Sequence, residues 1–241
     1  MLVLGLETSG ERGNAALVRG QELVAEHWFP HGFRHARNIM AAVDEVLRRA
    51  GVDKHTVDAV AVTEGPGSFT GLRVGVTCAK TLAWLLGWRA VGVPTLEVLA
   101  QNVRPEQHLD AVGNPCRTVC PLLDARRSFV YGQVFEWCGG RWCDRTGLLA
   151  GAPLSVADSI PPGTLIFGSG VHAYPDVFLG LEGGRRGLRA GPDDLAVGRA
   201  EHTARLGLRA LRAGQDVDPM TLVAKYYRRT EAEEKLAGRE R

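Results

Sequence analysis

Asp58-Ala59-Val60-Ala61-Val62-Thr63-Glu64-Gly65-Pro66-Gly67-Ser68-Phe69-Thr70-Gly71-Leu72-Arg73-Val74-Gly75 is the stretch that decides how the 241-residue chain folds. Residues 59–62 are apolar with no polar alternation, the pattern of a strand covered on both faces. The strand runs straight into a glycine-rich turn, and Leu72, Val74, Val76, Cys78, Ala79, Leu82, Ala83, Leu85 and Leu86 then recur through a helix. Glycine permits a sharp turn after a strand, and Ser68 or Thr70 is placed to cap the helix, leaving backbone amides and the positive dipole end at its start. Such a turn either holds an anion or serves packing. It is not a Walker A loop, because Gly-x4-Gly-Lys-Ser/Thr is absent and no lysine is set against a phosphate.

Upstream, residues 2–9, 14–18 and 22–29 read as three short strands separated by turn material at 10–13 and 19–20, an antiparallel meander. Ile39, Val43, Val46, Leu47 and Ala50 follow at helical spacing from His35, with Gly51 as the C-terminal cap. Meander, helix, buried strand, helix is the order of one half of an actin-like, ribonuclease H-like α/β fold, in which mixed sheets are flanked by helices. Downstream, residues 117–123, 129–137 and 165–167 read as strands and 193–211 as a helix. The polar stretch 101–113 places a boundary near Pro105, giving an N-terminal subdomain of residues 1–105 and a smaller one of 106–241, whose late helix is free to pack back on the first. No internal sequence repeat or low-complexity segment is evident.

Composition narrows the function classes. Apolar residues make up 45% and charged residues 23%, near the averages for soluble proteins, and no run reaches the eighteen apolar residues of a membrane span. Met1-Leu2-Val3-Leu4-Gly5-Leu6-Glu7 lacks the basic leader and long apolar stretch of a signal peptide, which points to the cytoplasm. A net charge of +2 does not announce nucleic-acid binding, and Arg185, Arg186, Arg189, Arg205, Arg209, Arg212, Arg228 and Arg229 read first as solvated faces. Five cysteines, Cys78, Cys116, Cys120, Cys138 and Cys143, are an odd set in a long chain and imply reduced thiols. Their spacings are looser than zinc knuckles. His31 and His35 lie four apart but bracket Gly32 and follow Pro30, with no third ligand nearby, so solvated or capping histidines are the simpler reading.

Residues 65–75, with proline, phenylalanine and arginine fixed between the glycines, resemble the signature of the TsaB family. The resemblance continues in order along nearly the whole chain: Leu4-Gly5-Leu6-Glu7-Thr8-Ser9, His35 opening the first helix, Val93-Pro94-Thr95-Leu96-Glu97, Asp124-Ala125-Arg126 with Val130-Tyr131, Gly168-Ser169-Gly170, and Tyr227-Arg228-Arg229 with Ala232-Glu233. It implies a subunit with no catalytic residue, cofactor or metal of its own. That subunit pairs with a TsaD-like catalytic subunit, which transfers threonylcarbamoyl to N6 of adenosine 37 in tRNAs reading codons that start with A. A TsaE-like ATPase docks on the pair, tRNA is met only through the complex, and the isolated chain is able to form an analogous homodimer. The catalytic relative's His-x3-His pair has no counterpart after the glycine turn here. Glu7 departs from the aspartate that actin-like ATPases carry in their first phosphate loop, and Asp124 lacks the glycine those enzymes carry two positions on. Both departures count against turnover.

A helix apolar on most of its circumference needs covering on more than one side. A sheet supplies one cover; a partner or a core position supplies the other. The resemblance assigns the second cover to a partner and places Met40, Val43, Leu47, Leu82 and Leu86 at that interface. Two rival readings stand beside it: a self-sufficient actin-like ATPase or phosphotransferase, from the Glu7-Thr8-Ser9 opening and the glycine turns, and a metal-dependent hydrolase using His31 and His35.

Overall fold

The computed structural model describes residues 1–30, 32, 34–109, 113–180 and 187–227. The meander forms as read: β1 (Leu2–Glu7), β2 (Asn14–Arg19) and β3 (Glu22–Trp28) are antiparallel neighbours. Helix α1 spans His35–Ala50, and Gly51 ends it in the left-handed conformation, φ 62°, that glycine adopts without steric cost. Strand β4 (Ala59–Gly65) lies parallel to β1, helix α2 runs Phe69–Leu86, and β5 (Arg89–Pro94) lies parallel to β4. The sheet order is β3-β2-β1-β4-β5.

After the short helix α3 (Thr95–Ala100) the second sheet begins with β6 (Thr118–Asp124). Residues 129–137 are not one strand but two, β7 (Val130–Gly132) and β8 (Phe135–Trp137). Both pair with β6 in one register, Leu122 opposite Gly132 and Val119 opposite Phe135. The interruption falls opposite Pro121, which has no N–H to give the ladder. Strands β9 (Trp142–Asp144) and β10 (Leu149–Gly151), helix α4 (Pro153–Asp158), strand β11 (Leu165–Phe167), helices α5 (Ser169–Ala173) and α6 (Pro175–Phe178) and strand β12 (Arg189–Ala190) follow. The expected helix over 193–211 is also divided: a 3-10 turn at Asp193–Ala196, an extended crossing at 197–199, then α7 (Ala200–Arg212).

The second sheet runs β10-β7-β6-β11-β12, antiparallel then parallel, repeating the strand order of the first, with β8 and β9 as an added hairpin on β6. This is a repeat of topology that leaves no repeat in the sequence. Two mixed sheets with helices on their faces make the actin-like, ribonuclease H-like architecture expected from the element order.

Four apolar clusters hold the layers. Leu4, Leu6, Val60 and Val62 meet Ile39, Val43 and Val46 of α1 and Val76 and Ala79 of α2 on one face of the first sheet. Val3, Val18, Ala59, Ala61 and Val91 meet Ala204, Leu208 and Leu211 of α7 on the other. The second sheet is covered by Leu96 and Leu99 on one side and by Val156, Ile160 and Phe178 on the other. Burial of this kind stabilises by about 25 cal/mol per Å2 of apolar surface. No described helix is long and apolar enough to cross a membrane.

Candidate functional site

Ser68 caps α2: its hydroxyl accepts from the Gly71 N–H at 3.3 Å, while its own N–H donates to the Ser9 carbonyl at 2.7 Å. A Cβ on Gly67 would press into Ser9, one on Gly71 into the Thr8 carbonyl, and one on Gly75 into the Thr8 hydroxyl. Positions 71 and 75 lie one helical turn apart and Gly67 just precedes the cap, so bare backbone lies flush on the chain leaving β1. The signature glycines therefore serve a close approach of α2 to Thr8 and Ser9, the packing alternative of the two open for this turn.

Phe69 and Arg73 of the same signature act together on the end of the described chain. The Arg73 guanidinium lies 3.9 Å over the Phe69 ring and 5.7 Å from the Tyr226 ring centre, and its Nε donates to the Tyr226 hydroxyl at 2.9 Å. Phe69 and Tyr226 rings stack at 4.8 Å. One residue earlier the Lys225 ammonium meets Glu64 at 2.6 Å and the Lys225 N–H donates to the Glu64 carbonyl at 2.7 Å. The ammonium–carboxylate hydrogen bond to Glu64 holds the Lys225 pKa above its ordinary value. Tyr227 meets Tyr131 of the second sheet edge-on at 6.1 Å, and burial raises its pKa. Residues 225–227 thus bridge the two sheets. The sequence offered Tyr227 for the resemblance but gave Lys225 and Tyr226 no role; the Lys225 contact spans 161 positions and the Tyr226 hydrogen bond 153, beyond any local periodicity.

Between the sheets lies a cleft of about 930 Å3, lined by Ser9, Gly10 and Arg12, by Gly67 and Ser68, by Asp124 and Ser169, and by the 225–227 bridge. Glu7 is not part of its wall. The side chain is fully buried under Gly198, where an added Cβ would strike the carboxyl. Glu7 Oε1 accepts from both the Ser9 N–H and the Ser9 hydroxyl at 2.6 Å. Burial raises its pKa, against the opposing pull of the Ser9 and Thr63 hydroxyls and the Ser9 and Gly10 amides. Asp124 does reach the cleft, but its carboxylate accepts from the Arg126 N–H at 2.9 Å and the Tyr174 hydroxyl at 3.4 Å, and the Arg126 side chain stands 3.6 Å away. Arg126 occupies the position where actin-like ATPases use glycine. It keeps the left-handed turn, φ 64°, with its side chain exposed to solvent.

His35 is neither solvated nor a cap. It is buried, its Nε2 lies 2.9 Å from the Gly10 carbonyl, and its ring packs 5.8 Å from Phe29. His31 lies outside the described residues. Among the described residues no three of His, Cys, Asp and Glu converge where a metal would sit. Three of the described arginines are engaged: Arg205 with Glu201 at 2.6 Å, Arg209 with Glu97, and Arg189 with the Gly163 and Leu109 carbonyls. Arg185, Arg186, Arg228 and Arg229 lie outside the described residues, as do Ala232 and Glu233.

The proposed pairing face divides. Met40 is exposed, and Leu47 and Leu86 are half-buried at the helix surface. Val43 and Leu82, 2% and 8% exposed, are buried in the core between the helices and the first sheet. The large apolar residues that project furthest from α2 are Trp84 and Leu85, 68% and 64% exposed. Arg73, Thr77 and Thr81, spaced four apart, mark the solvent side of α2, a signal outweighed in the sequence by the number of apolar residues, so the pattern groups Leu82 with its outward neighbours.

The family model described as TsaD, tRNA N6-adenosine threonylcarbamoyltransferase, matches residues 32–154, 123 of the 241. A Bacillus subtilis protein named tRNA threonylcarbamoyladenosine biosynthesis protein TsaB is 35% identical over 140 residues, 58% of this chain and 57% of that protein. Its Escherichia coli namesake is 28% identical over 244 residues, the full length of both. The solved structure of YeaZ from Pseudomonas aeruginosa superposes with a TM-score of 0.78 at 25% identity, covering 93% of this chain and all of that one. Glycine signature, paired mixed sheets and these likenesses agree: the chain belongs to the tRNA N6-adenosine threonylcarbamoyltransferase family, on its TsaB branch.

Proposed function

We propose that this chain is a non-catalytic subunit of tRNA threonylcarbamoyladenosine biosynthesis that pairs with a TsaD-like catalytic subunit and activates it for threonylcarbamoyl transfer to N6 of adenosine 37, in tRNAs that read codons starting with A. The observation that carries it is the outward apolar face of α1 and α2, with Met40, Trp84 and Leu85 in solvent and Leu47 and Leu86 at its edge. Exposed aromatic and aliphatic side chains on neighbouring helices mark an interaction surface. The carboxylates supplied by the phosphate-loop positions support the same reading, because Glu7 is sealed off and Asp124 is bonded within its own hairpin.

In this reading the chain acts by binding the active conformation of its partner better than other conformations, and its effect is bounded by that difference in affinity. A TsaE-like ATPase docks on the pair in the cytoplasm, tRNA is contacted through the complex, and the same face makes a homodimer when the partner is absent. The test is light scattering of the chain alone and with its cognate TsaD-like protein, followed by a threonylcarbamoylation assay on each species. A heterodimer that modifies tRNA only when both subunits are present supports the proposal. No complex, together with nucleotide turnover by this chain alone, would favour the rival of a self-sufficient ATPase, to which the cleft between the sheets gives room.

A further inference from the structure

Of the five thiols, Cys78, Cys116 and Cys120 are buried, and burial pushes the Cys78 and Cys120 pKa values up to about 11 and about 12. The other two reach solvent, and both stand on the hairpin of β8 and β9. The hairpin register sets Trp137 opposite Trp142 and Glu136 opposite Cys143, and the Cys138 N–H donates to the Arg141 carbonyl at 2.8 Å. Side chains alternate between faces along a strand. Trp137 and Trp142, in edge contact at 5.0 Å, therefore share one face, with Trp142 buried. Glu136, Cys138, Arg141 and Cys143 share the other, so the two thiols are diagonal neighbours on the outer face. The neighbouring Cys143 thiol, more than any other group, holds the Cys138 pKa above its ordinary value. The turn between them is Gly139-Gly140, with φ 56° and 98°, whose lack of side chains lets the strand ends twist toward each other.

We propose that Cys138 and Cys143 form a dithiol that closes to a reversible disulfide by exchange with a low-molecular-weight disulfide. One thiolate attacks a sulfur of the co-reactant R–S–S–R, forming a mixed disulfide and releasing one RS−. The second cysteine gives its proton to solvent and attacks the protein sulfur of that mixed disulfide, expelling the second RS−. The protein loses two electrons and two protons, and R–S–S–R is reduced to two RSH. An exposed cross-strand bond near a turn belongs to the labile class of disulfides, reopened by thiols, rather than to the buried structural class. It would fix the free end of the hairpin whose Trp142 is anchored by donation from its indole Nε1 to the Val103 carbonyl.

The experiment is incubation of the full chain with excess oxidised glutathione, followed by alkylation, tryptic digestion and mass spectrometry. Trypsin cuts after Arg141, between the two cysteines, so an intramolecular bond leaves peptides 128–141 and 142–145 joined and each lacking one hydrogen. We expect that joined pair in the wild type, its separation by dithiothreitol, and no modification of Cys78, Cys116 or Cys120. In Cys138→Ser or Cys143→Ser the remaining thiol is expected to keep a stable glutathione adduct that the wild type does not accumulate. Phenylarsine oxide, which bridges adjacent thiols, gives a readout that needs no variant: it is expected to protect both cysteines from alkylation together. Stable glutathione adducts in the wild type, no reaction at either thiol, or failure of the arsenical to protect the pair would each overturn the proposal.

Discussion

Glu7 and Gly71 show how a single position is committed to packing rather than chemistry. The Glu7 pKa is raised in the fold by burial, so the native chain binds a proton more tightly than the unfolded chain, whose glutamate titrates near 4.5. As pH climbs through 4.5 the unfolded state releases that proton first, and stability falls until the raised native pKa is passed. Glu7→Gln keeps the shape and removes the titration. Its unfolding free energy, measured by urea titration between acid and neutral pH, is expected to exceed that of the wild type increasingly as pH rises and to lose this component of the slope. Gly71→Ala is expected to cost about 1–3 kcal/mol by overpacking against Thr8, whereas Gly10→Ala, with nothing within 4 Å of the added methyl, is expected to cost far less. The capping role of Ser68 and the departure at Glu7 were legible in the sequence because both are local. The direction of the Glu7 side chain was not, since it depends on Gly198 arriving from 191 positions away.

Elements were legible where one periodicity or cap decides them. Helix α1 begins at His35 and is capped by Gly51 as the pattern requires. Legibility failed where a neighbour intrudes. Pro121 on one strand interrupts the next, and Gly198, pressed against Glu7, separates the turn at 193–196 from α7. It failed again on α2, where the polar stripe of Arg73, Thr77 and Thr81 marks the solvent side but apolar Trp84 and Leu85 share that side with it. The structure makes the role of that side a matter for experiment. Trp84→Asp or Leu85→Asp is expected to leave a folded protein, within about 0.5 kcal/mol of wild type as surface changes are, and to abolish pairing with the cognate TsaD-like protein by light scattering. Leu82→Asp, by contrast, places an unpaired charge in the core and is expected to cost about 3–5 kcal/mol, visible as loss of the cooperative unfolding transition. If Trp84→Asp and Leu85→Asp pair like wild type, the pairing surface lies elsewhere.

Across the whole molecule, two sheets of the same strand order are joined by an extended crossing at 197–199 and by the Lys225-Tyr226-Tyr227 bridge. The triple change of residues 225–227 to alanine removes a partly exposed ion pair, a cation–π contact and an aromatic pair. It is expected to cost about 1–3 kcal/mol and to speed amide exchange at the rims of the cleft. The two-lobed plan followed from element order in the sequence. That the second lobe repeats the first did not, because strand order is fixed by pairing between distant segments and each lobe spends different residues on it.

Helix α7 has a consequence for how the protein is made. It covers Val3, Val18, Ala59, Ala61 and Val91 of the first sheet, yet it comes from residues 200–212. While the chain emerges from the ribosome, those five side chains wait bare until residues 200–212 have been made. A nascent sheet with one oily side is what chaperones hold, so a message truncated before residue 200 should yield aggregates rather than a working N-terminal half.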